Sequence, residues 1–324
     1  MKLFKLHWIA IIALFLIASC EDNSVSKSDD EKISAYEAYK QIIKEVGVSE
    51  SGGIGDVCNN FFTNDSSRED FIRTYVENIR IQDDPSIYVF VYDTNFVNIA
   101  HPVLKDYVGT DRSEDTDTKG QNISDIIINT LRQHGEGFVE FYFDNPATNN
   151  NEKKTTFVKY IKDTKYLLGI GFYGESLSQS EFEQSEVDKM IVKNCVQTTA
   201  TGFGDVFAGI VKSNEDRMQF VRDYCDLTRF LKDLSGYFFV DDSDGVSISY
   251  PVRKDLENTS LTDIQDVNGV YPVREMLDVI NSSGSGFVEY HLENPVSKEI
   301  EMKIVYVERI PNSDYFIGTG YYKK

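Results

Sequence analysis

The stretch GFVEFYFDNP, beginning at Gly137, returns as GFVEYHLENP beginning at Gly286, 149 positions later. Sliding the chain against itself by that interval aligns far more than one phrase. Gly53, Gly55, Asp56 and Val57 fall on Gly202, Gly204, Asp205 and Val206, and Phe71, Tyr75 and Arg80 fall on Phe220, Tyr224 and Arg229. Tyr88, Asp93, Pro102 and Lys105 meet Tyr237, Asp242, Pro251 and Lys254. Gly120, Gly135, Pro146, Lys154 and Gly171 meet Gly269, Gly284, Pro295, Lys303 and Gly320, with no gap between the landmarks. Solenoid repeats have periods of about 20 to 50 residues, so this interval describes a fold written twice. A side chain that differs between the copies then marks a place where their roles can diverge.

Each copy reads in the same order. Ile33, Tyr36, Ile42, Ile43 and Val46 recur at helical spacing and predict a first helix over about residues 31 to 48, broken by the glycines of GGIGDV. Ser66 to Glu69 fits a capping box ahead of a second helix carrying Phe71, Tyr75 and Ile79. IYVFVYD, aromatic and β-branched, predicts a strand. A short turn, with the hairpin pair Asp244-Gly245 in copy two, leads to a second strand ending at Pro102 or Pro251. A helix from about Ser124 to Gln133 precedes strands at Phe138–Phe143, Lys154–Ile161 and Tyr166–Phe172. Two strands, a crossover helix and a three-stranded meander make one five-stranded antiparallel sheet per copy, an α+β fold. The polar stretch GESLSQSEF, Gly174 to Phe182, suggests a joint between separable domains at residues 32–175 and 176–324.

The N-terminus stands apart from both copies. Lys2 and Lys5 precede an apolar run from Trp8 to Ile17, too short for the roughly 20 residues of a membrane-spanning helix. Ile17-Ala18-Ser19-Cys20 closes it in the manner of a bacterial lipobox. The expectation is a signal peptide at residues 1–19, lipidation at Cys20 and a tether over 20–31, with the protein held on a membrane of the cell envelope and facing the periplasm or the exterior. Losing residues 1–19 removes two lysines and no acid, taking the formal net charge from −20 to −22. Such a chain repels phosphate backbones, which excludes nucleic acid as a partner. Cys58, Cys195 and Cys225 remain, an odd number without metal-ligand spacing. Cys195 and Cys225 match Val46 and Val76 in the other copy, so they read as buried thiols, with a Cys195–Cys225 disulfide as the alternative.

In copy two, SGYFFVDDSDGVSISYP, DVNG, GSGFVEYHLENP, EMKIVYVERIP and YFIGTGYY follow one another. Each motif is weak alone. Together, and repeated in most of copy one, they resemble the single-Cache extracellular sensor domain. The resemblance implies a PAS-like sheet with a long N-terminal helix on one side and a pocket for small organic molecules on the other. It also implies site residues: Tyr88 and Tyr237 on the first strand, His101 and Tyr250 before the proline, and Lys154 and Lys303 with Phe157 and Tyr306 on the fourth. A lysine beside hydroxyl donors suits a carboxylate, because charge-assisted hydrogen bonds are the stronger ones. Copy two keeps Tyr237, Tyr250, Lys303 and Tyr306 together and is expected to bind better, Phe157 having no hydroxyl. The plainer alternatives are core tyrosines and solvated strand-start lysines.

Catalysis is not expected. The mature chain has three histidines, His101, His134 and His291, none at metal-ligand spacing, and no HExxH or GxSxG motif. Glu140 and Glu289 sit in separate copies and cannot flank one bond. No cofactor is called for. Cache sensors usually run on into a membrane helix, whereas Gly320-Tyr321-Tyr322 is followed here by two lysines. The expectation is therefore a membrane-anchored binder of small carboxylates or amino-acid-like metabolites that works with a membrane sensor or transporter. The alternative is a spacer or interaction module whose pockets have degenerated.

Overall fold

A computed structural model describes residues 32–177 and 179–323. The expected signal peptide, Cys20 and the tether lie outside the described residues. Copy one begins with a two-residue strand β1 (Ile33–Ser34) and helix α1 (Ala35–Asn60). Then come α2 (Asp65–Val76), β2 (Val89–Asp93), β3 (Asn98–Ala100), α3 (Ile123–His134), β4 (Glu136–Asp144), β5 (Asn151–Tyr160) and β6 (Tyr166–Tyr173). Copy two repeats the series as β7 (Glu181–Phe182), α4 (Gln184–Gly209), α5 (Asn214–Cys225), β8 (Phe239–Asp242), β9 (Ser247–Ser249), α6 (Pro272–Ser283), β10 (Ser285–Glu293), β11 (Ile300–Arg309) and β12 (Tyr315–Tyr322). The sheets run β3-β2-β6-β5-β4 and β9-β8-β12-β11-β10, every pairing antiparallel. This is the α+β fold with two five-stranded sheets that the pattern predicts.

Three local expectations change. GGIGDV does not end the first helix, because α1 runs unbroken for 26 residues. Each glycine inside a helix costs up to about 1 kcal/mol against alanine, and here the missing side chain admits a neighbour. A Cβ on Gly53 would stand 2.2 Å from the Tyr224 ring, and one on Gly202 2.4 Å from the Tyr75 ring. Each copy's helix therefore takes in the other copy's tyrosine. Second, α2 is capped by Asn64, not Ser66: Asn64 Oδ1 accepts from Ser67 N at 2.9 Å, as the matched Ser213 Oγ accepts from Asp216 N at 3.1 Å. Third, β1 pairs with β7 through Ile33↔Phe182, a ribbon between the copies that the sequence pattern did not suggest.

The tyrosine exchange builds the joint. The Tyr75 and Tyr224 hydroxyls each donate to Glu50 Oε2, at 2.8 and 2.9 Å, and stand 2.8 Å apart. Glu50 is fully buried, and burial raises its pKa. The matched position in copy two is Thr199, so a single acid serves both rings. One apolar core runs through α1, α2, α4 and α5 and reaches the inner face of both sheets, from Val89 and Phe172 in copy one to Val240 and Ile317 in copy two. Residues 32–324 form a single unit. The expectation of independently folding halves therefore meets a shared core. Cys58, Cys195 and Cys225 are free and buried in it.

Candidate functional site

Strand alternation decides which side chains can meet a ligand, since successive residues face opposite sides of a sheet. On β8 and the residues leading into it, Phe238 and Val240 enter the shared core, while Tyr237 and Phe239 enter a second, smaller core on the outer face. Copy one does the same: Val89 and Val91 face inward, and Tyr88, Phe90 and Tyr92 face outward with Ile123, Ile127 and Leu131 of α3. Each sheet thus has an outer core covered by one helix, and a cavity opens in each.

The expected site residues divide by this rule. Lys154 and Lys303 are buried on the outer face, each ammonium standing over a tyrosine ring: Lys154 Nζ lies 4.1 Å from the Tyr88 centroid and Lys303 Nζ 3.9 Å from that of Tyr237. Cation–π contact of this kind stabilises a buried charge only partly, and burial brings both lysines down to about 7. Lys303 Nζ has no hydrogen-bond partner. His101 packs 5.0 Å from Tyr88, and its Nδ1 accepts from Leu104 N at 2.9 Å. Burial and the nearby Lys154 charge push its pKa down to about 3, leaving the imidazole neutral. Tyr250 holds the matched place, stacked 6.3 Å from Tyr237. The Tyr237 hydroxyl lacks a partner, with Tyr250 and Tyr322 near but closing no bond.

Phe157 and Tyr306 are not brought to these sites. Both lie on the inner face, in the shared core. Phe157 packs 5.3 Å from Phe138, and Tyr306 packs 4.9 Å from Phe287 with its hydroxyl donating to Glu308 at 3.2 Å. The reason is parity: a residue three places along a strand from a lysine points the other way.

The two cavities are lined in part by matched positions yet differ in size. The first, about 20 Å³, touches Tyr88, Phe90, Tyr92, Phe96, His101, Asp115, Phe141, Phe143 and Lys154. That is room for about one water. The second, about 120 Å³, touches Phe239, Asp241, Tyr250, Arg253, Ile264, Met276, Tyr290, His291 and Leu292. The difference traces to a few substitutions. In copy one the Tyr92 and Phe96 rings stack at 4.3 Å in the wall of the first cavity; the matched Asp241 lines the second cavity, whereas the matched Gly245 lies outside it, closed in by Thr262, Val273 and Leu277. Phe96 stands at φ +62°, the left-handed turn geometry that Gly245 takes at φ +73°, and a bulky residue there is uncommon. Tyr237 stacks against Tyr250, Lys303 Nζ lies over the Tyr237 ring, and neither residue lines the second cavity.

Sequence reasoning missed Asp241, Arg253, Tyr290 and His291. Asp241 is 1% exposed, and neither carboxylate oxygen has a hydrogen-bond partner. Ser247 stands near without closing a bond, and burial raises the Asp241 pKa to about 7. The signal was present: in Tyr237, Phe239 and Asp241 the outward row of an aromatic strand ends on an acid. By contrast, Asp266 accepts from the backbone N–H of His291, Val270 and Asn268 at 2.8 to 3.0 Å and serves to hold its turn.

A PAS-like sheet with a helix-covered cavity on its outer face defines a small-molecule-binding module. The family model described as Cache domain (dCache_2) matches residues 35–324 in one span across both copies. The chain belongs to the Cache domain family, sensor modules that bind small ligands. It is similar to a methyl-accepting chemotaxis protein from Vibrio parahaemolyticus at 25% identity and TM-score 0.39, over 43% of this chain and 90% of that one. A Cache chemosensory domain described as recognising carboxylic acid matches at 25% identity and TM-score 0.39, over 44% and 95%. The sensor domain of the V. cholerae histidine kinase DctB matches at 11% identity and TM-score 0.24, over 89% and 90%. Among the described residues no helix is long and apolar enough to cross a membrane.

Proposed function

We propose that this protein is a lipid-anchored receptor module of the cell envelope that captures a small carboxylate or amino-acid-like metabolite in its second half. In this reading the first half, residues 32–175, is a structural partner, and the half from 176 to 324 carries the working pocket. The observation that carries the proposal is the asymmetry of the cavities. Several matched positions line both, but the first, walled by Tyr92 and Phe96, holds about 20 Å³ while the second keeps about 120 Å³. A ligand site is expected to be an apolar, aromatic hollow with a few convergent polar groups. The second cavity has that character: Phe239, Tyr250, Met276 and Tyr290 form its walls, and Asp241 and Arg253 line it with them. Tyr237 stacks against Tyr250, and Lys303 lies over the Tyr237 ring. The spacer reading survives for the first half, whose Tyr88, His101 and Lys154 enclose too little room.

Residues 1–20 support anchoring through Cys20, with delivery of the bound state to a membrane sensor or transporter. The intact mass of protein extracted from membranes tests the anchor, and an unmodified N-terminus would contradict it. For binding, a ligand that engages only the folded state stabilises by about 2.7 kcal/mol at a hundredfold excess over Kd. A thermal-shift screen of small acids, amino acids and amines should give at least one clear rise in Tm, and Met276→Trp, which fills the cavity, should abolish it. No rise across the panel, or a rise indifferent to Met276→Trp, would overturn the reading.

A further inference from the structure

We infer that the second half is seated on the bilayer by its end nearest the anchor, with Val267, Val296 and Ile300 dipping among the lipids. The inference rests on the lipid anchor proposed above and names the face that the anchor brings down. Helices α1 and α4 lie side by side in parallel, since Gln184 bonds Gln41 at 3.1 Å near their starts and Ser49 Oγ meets Cys195 Sγ at 3.7 Å midway. Lys32, the first described residue, lies 3.4 Å from Glu183 at the start of α4. Strand β12 relates the second sheet to this end. Tyr321, near its finish, donates to Ser185 O at 3.5 Å, whereas Asn312, in the turn before it, donates to Gly204 O at 3.0 Å near the far end of α4. The β10–β11 turn, residues 294–299, and Ile300 therefore project at the end where the chain comes in.

That end is apolar in copy two only. Val267, Val296 and Ile300 are 63, 53 and 55% exposed, and their matched positions hold Thr118, Ala147 and Asn151. The first and last of these positions are neighbours, for in copy one Thr118 Oγ1 donates to Asn151 Oδ1 at 2.7 Å. In copy two Asn268, beside Val267, bonds His291 at 2.8 Å, and His291 pairs with Met302, two places from Ile300. Single exposed aliphatics are ordinary, but three on adjoining turns at one end mark a contact surface. Its occupant follows from what lies next to it. Residues 20–31 join Cys20 to Lys32 and span at most about 40 Å, so an anchored chain holds this end near lipid. Exposed Lys298 and Lys323 stand among exposed Glu293 and Glu299, a mixture that suits zwitterionic headgroups. The formal charge of −20 opposes a strongly anionic surface. A second copy docked strand to strand would set Glu289 and Glu293 of edge strand β10 against their own duplicates. Three aliphatic side chains hold a bilayer only weakly, as even one acyl chain does. Tethering supplies the local concentration that makes the contact persist.

Trp8 is the only tryptophan, so the mature chain from Cys20 has none and a single introduced ring reports its own surroundings. For the test, Cys20 of that chain is coupled to a maleimide lipid in phosphatidylcholine vesicles, the other three thiols being buried. This supplies the anchor whether or not the cell does. Val296→Trp and Ile300→Trp should shift their emission to the blue and lose about half their intensity to brominated phosphatidylcholine. Ala147→Trp, at the matched exposed place in copy one, should change little. Ile300→Asp added to Val296→Trp should remove most of the quenching without lowering Tm, because the position is exposed. No quenching in the second half, or equal quenching in both halves, would overturn the inference and leave the anchor itself to the intact-mass measurement. Blue emission already present without vesicles and growing with protein concentration would assign the face to a second copy, and so overturn it as well.

Discussion

Asp241 is where the residue-level account is most exposed to test. A carboxyl whose folded pKa is raised from its ordinary value of 3.8 to about 7 binds more protons folded than unfolded. Its contribution to stability is therefore intact below pH 4, declines as pH rises, and is lost above about 7. Asp241→Asn removes that loss. The variant should match the wild type near pH 4 and exceed it by a margin that grows to roughly a few kcal/mol by pH 8, measured by urea unfolding across pH. Lys154 and Lys303, held down to about 7 by burial, add stability to both proteins as pH rises above 7, and so cancel in the difference. A margin constant with pH would mean that Asp241 is not held in the protonated form by burial. The site was only half legible. Tyr88, His101, Lys154, Tyr237, Tyr250 and Lys303 do share the outer faces, but pairing each lysine with an aromatic three places away ignored strand parity. Asp241 escaped notice because an acid at a strand's end looks like the start of a turn, and only its burial shows otherwise.

Elements were easier to read than their ends. The strands, the crossover helices and the antiparallel order follow from alternation and turn residues, which act locally. The glycines of α1 and α4 misled because propensity weighs a residue against its own helix, whereas these are set by a ring from the other copy. The helix supplies its own control. A Cβ on Gly53 would meet Tyr224 at 2.2 Å, while one on Gly52 would find Thr228 Oγ1 at an ordinary 3.5 Å. Gly53→Ala should destabilise by about 1–3 kcal/mol through overpacking, despite alanine's better helix propensity. Gly52→Ala should be neutral or stabilise by up to about 1 kcal/mol. Denaturant midpoints for the two variants, compared at equal m-value, check this. A stabilising Gly53→Ala would show that the Tyr224 ring yields and that close approach is not the reason for the glycine.

For the molecule as a whole, the duplication built one body and differentiated its ends. The inner faces of both sheets feed a common core through α1 and α4, and Glu50 ties one tyrosine from each copy at its centre. The repeat alone could not reveal this, because a 149-residue period is equally compatible with two independent domains and with two interlocked ones. Freed from matching its twin, each outer face could take its own filling, and only the second stayed open. The most direct test is the stoichiometry of ligand binding to the mature chain by calorimetry, repeated with Met276→Trp and with the matched filling Ile127→Trp in the first half. The account predicts one ligand per chain, lost in Met276→Trp and retained in Ile127→Trp. Two ligands per chain, or loss on filling the first cavity instead of the second, would contradict it.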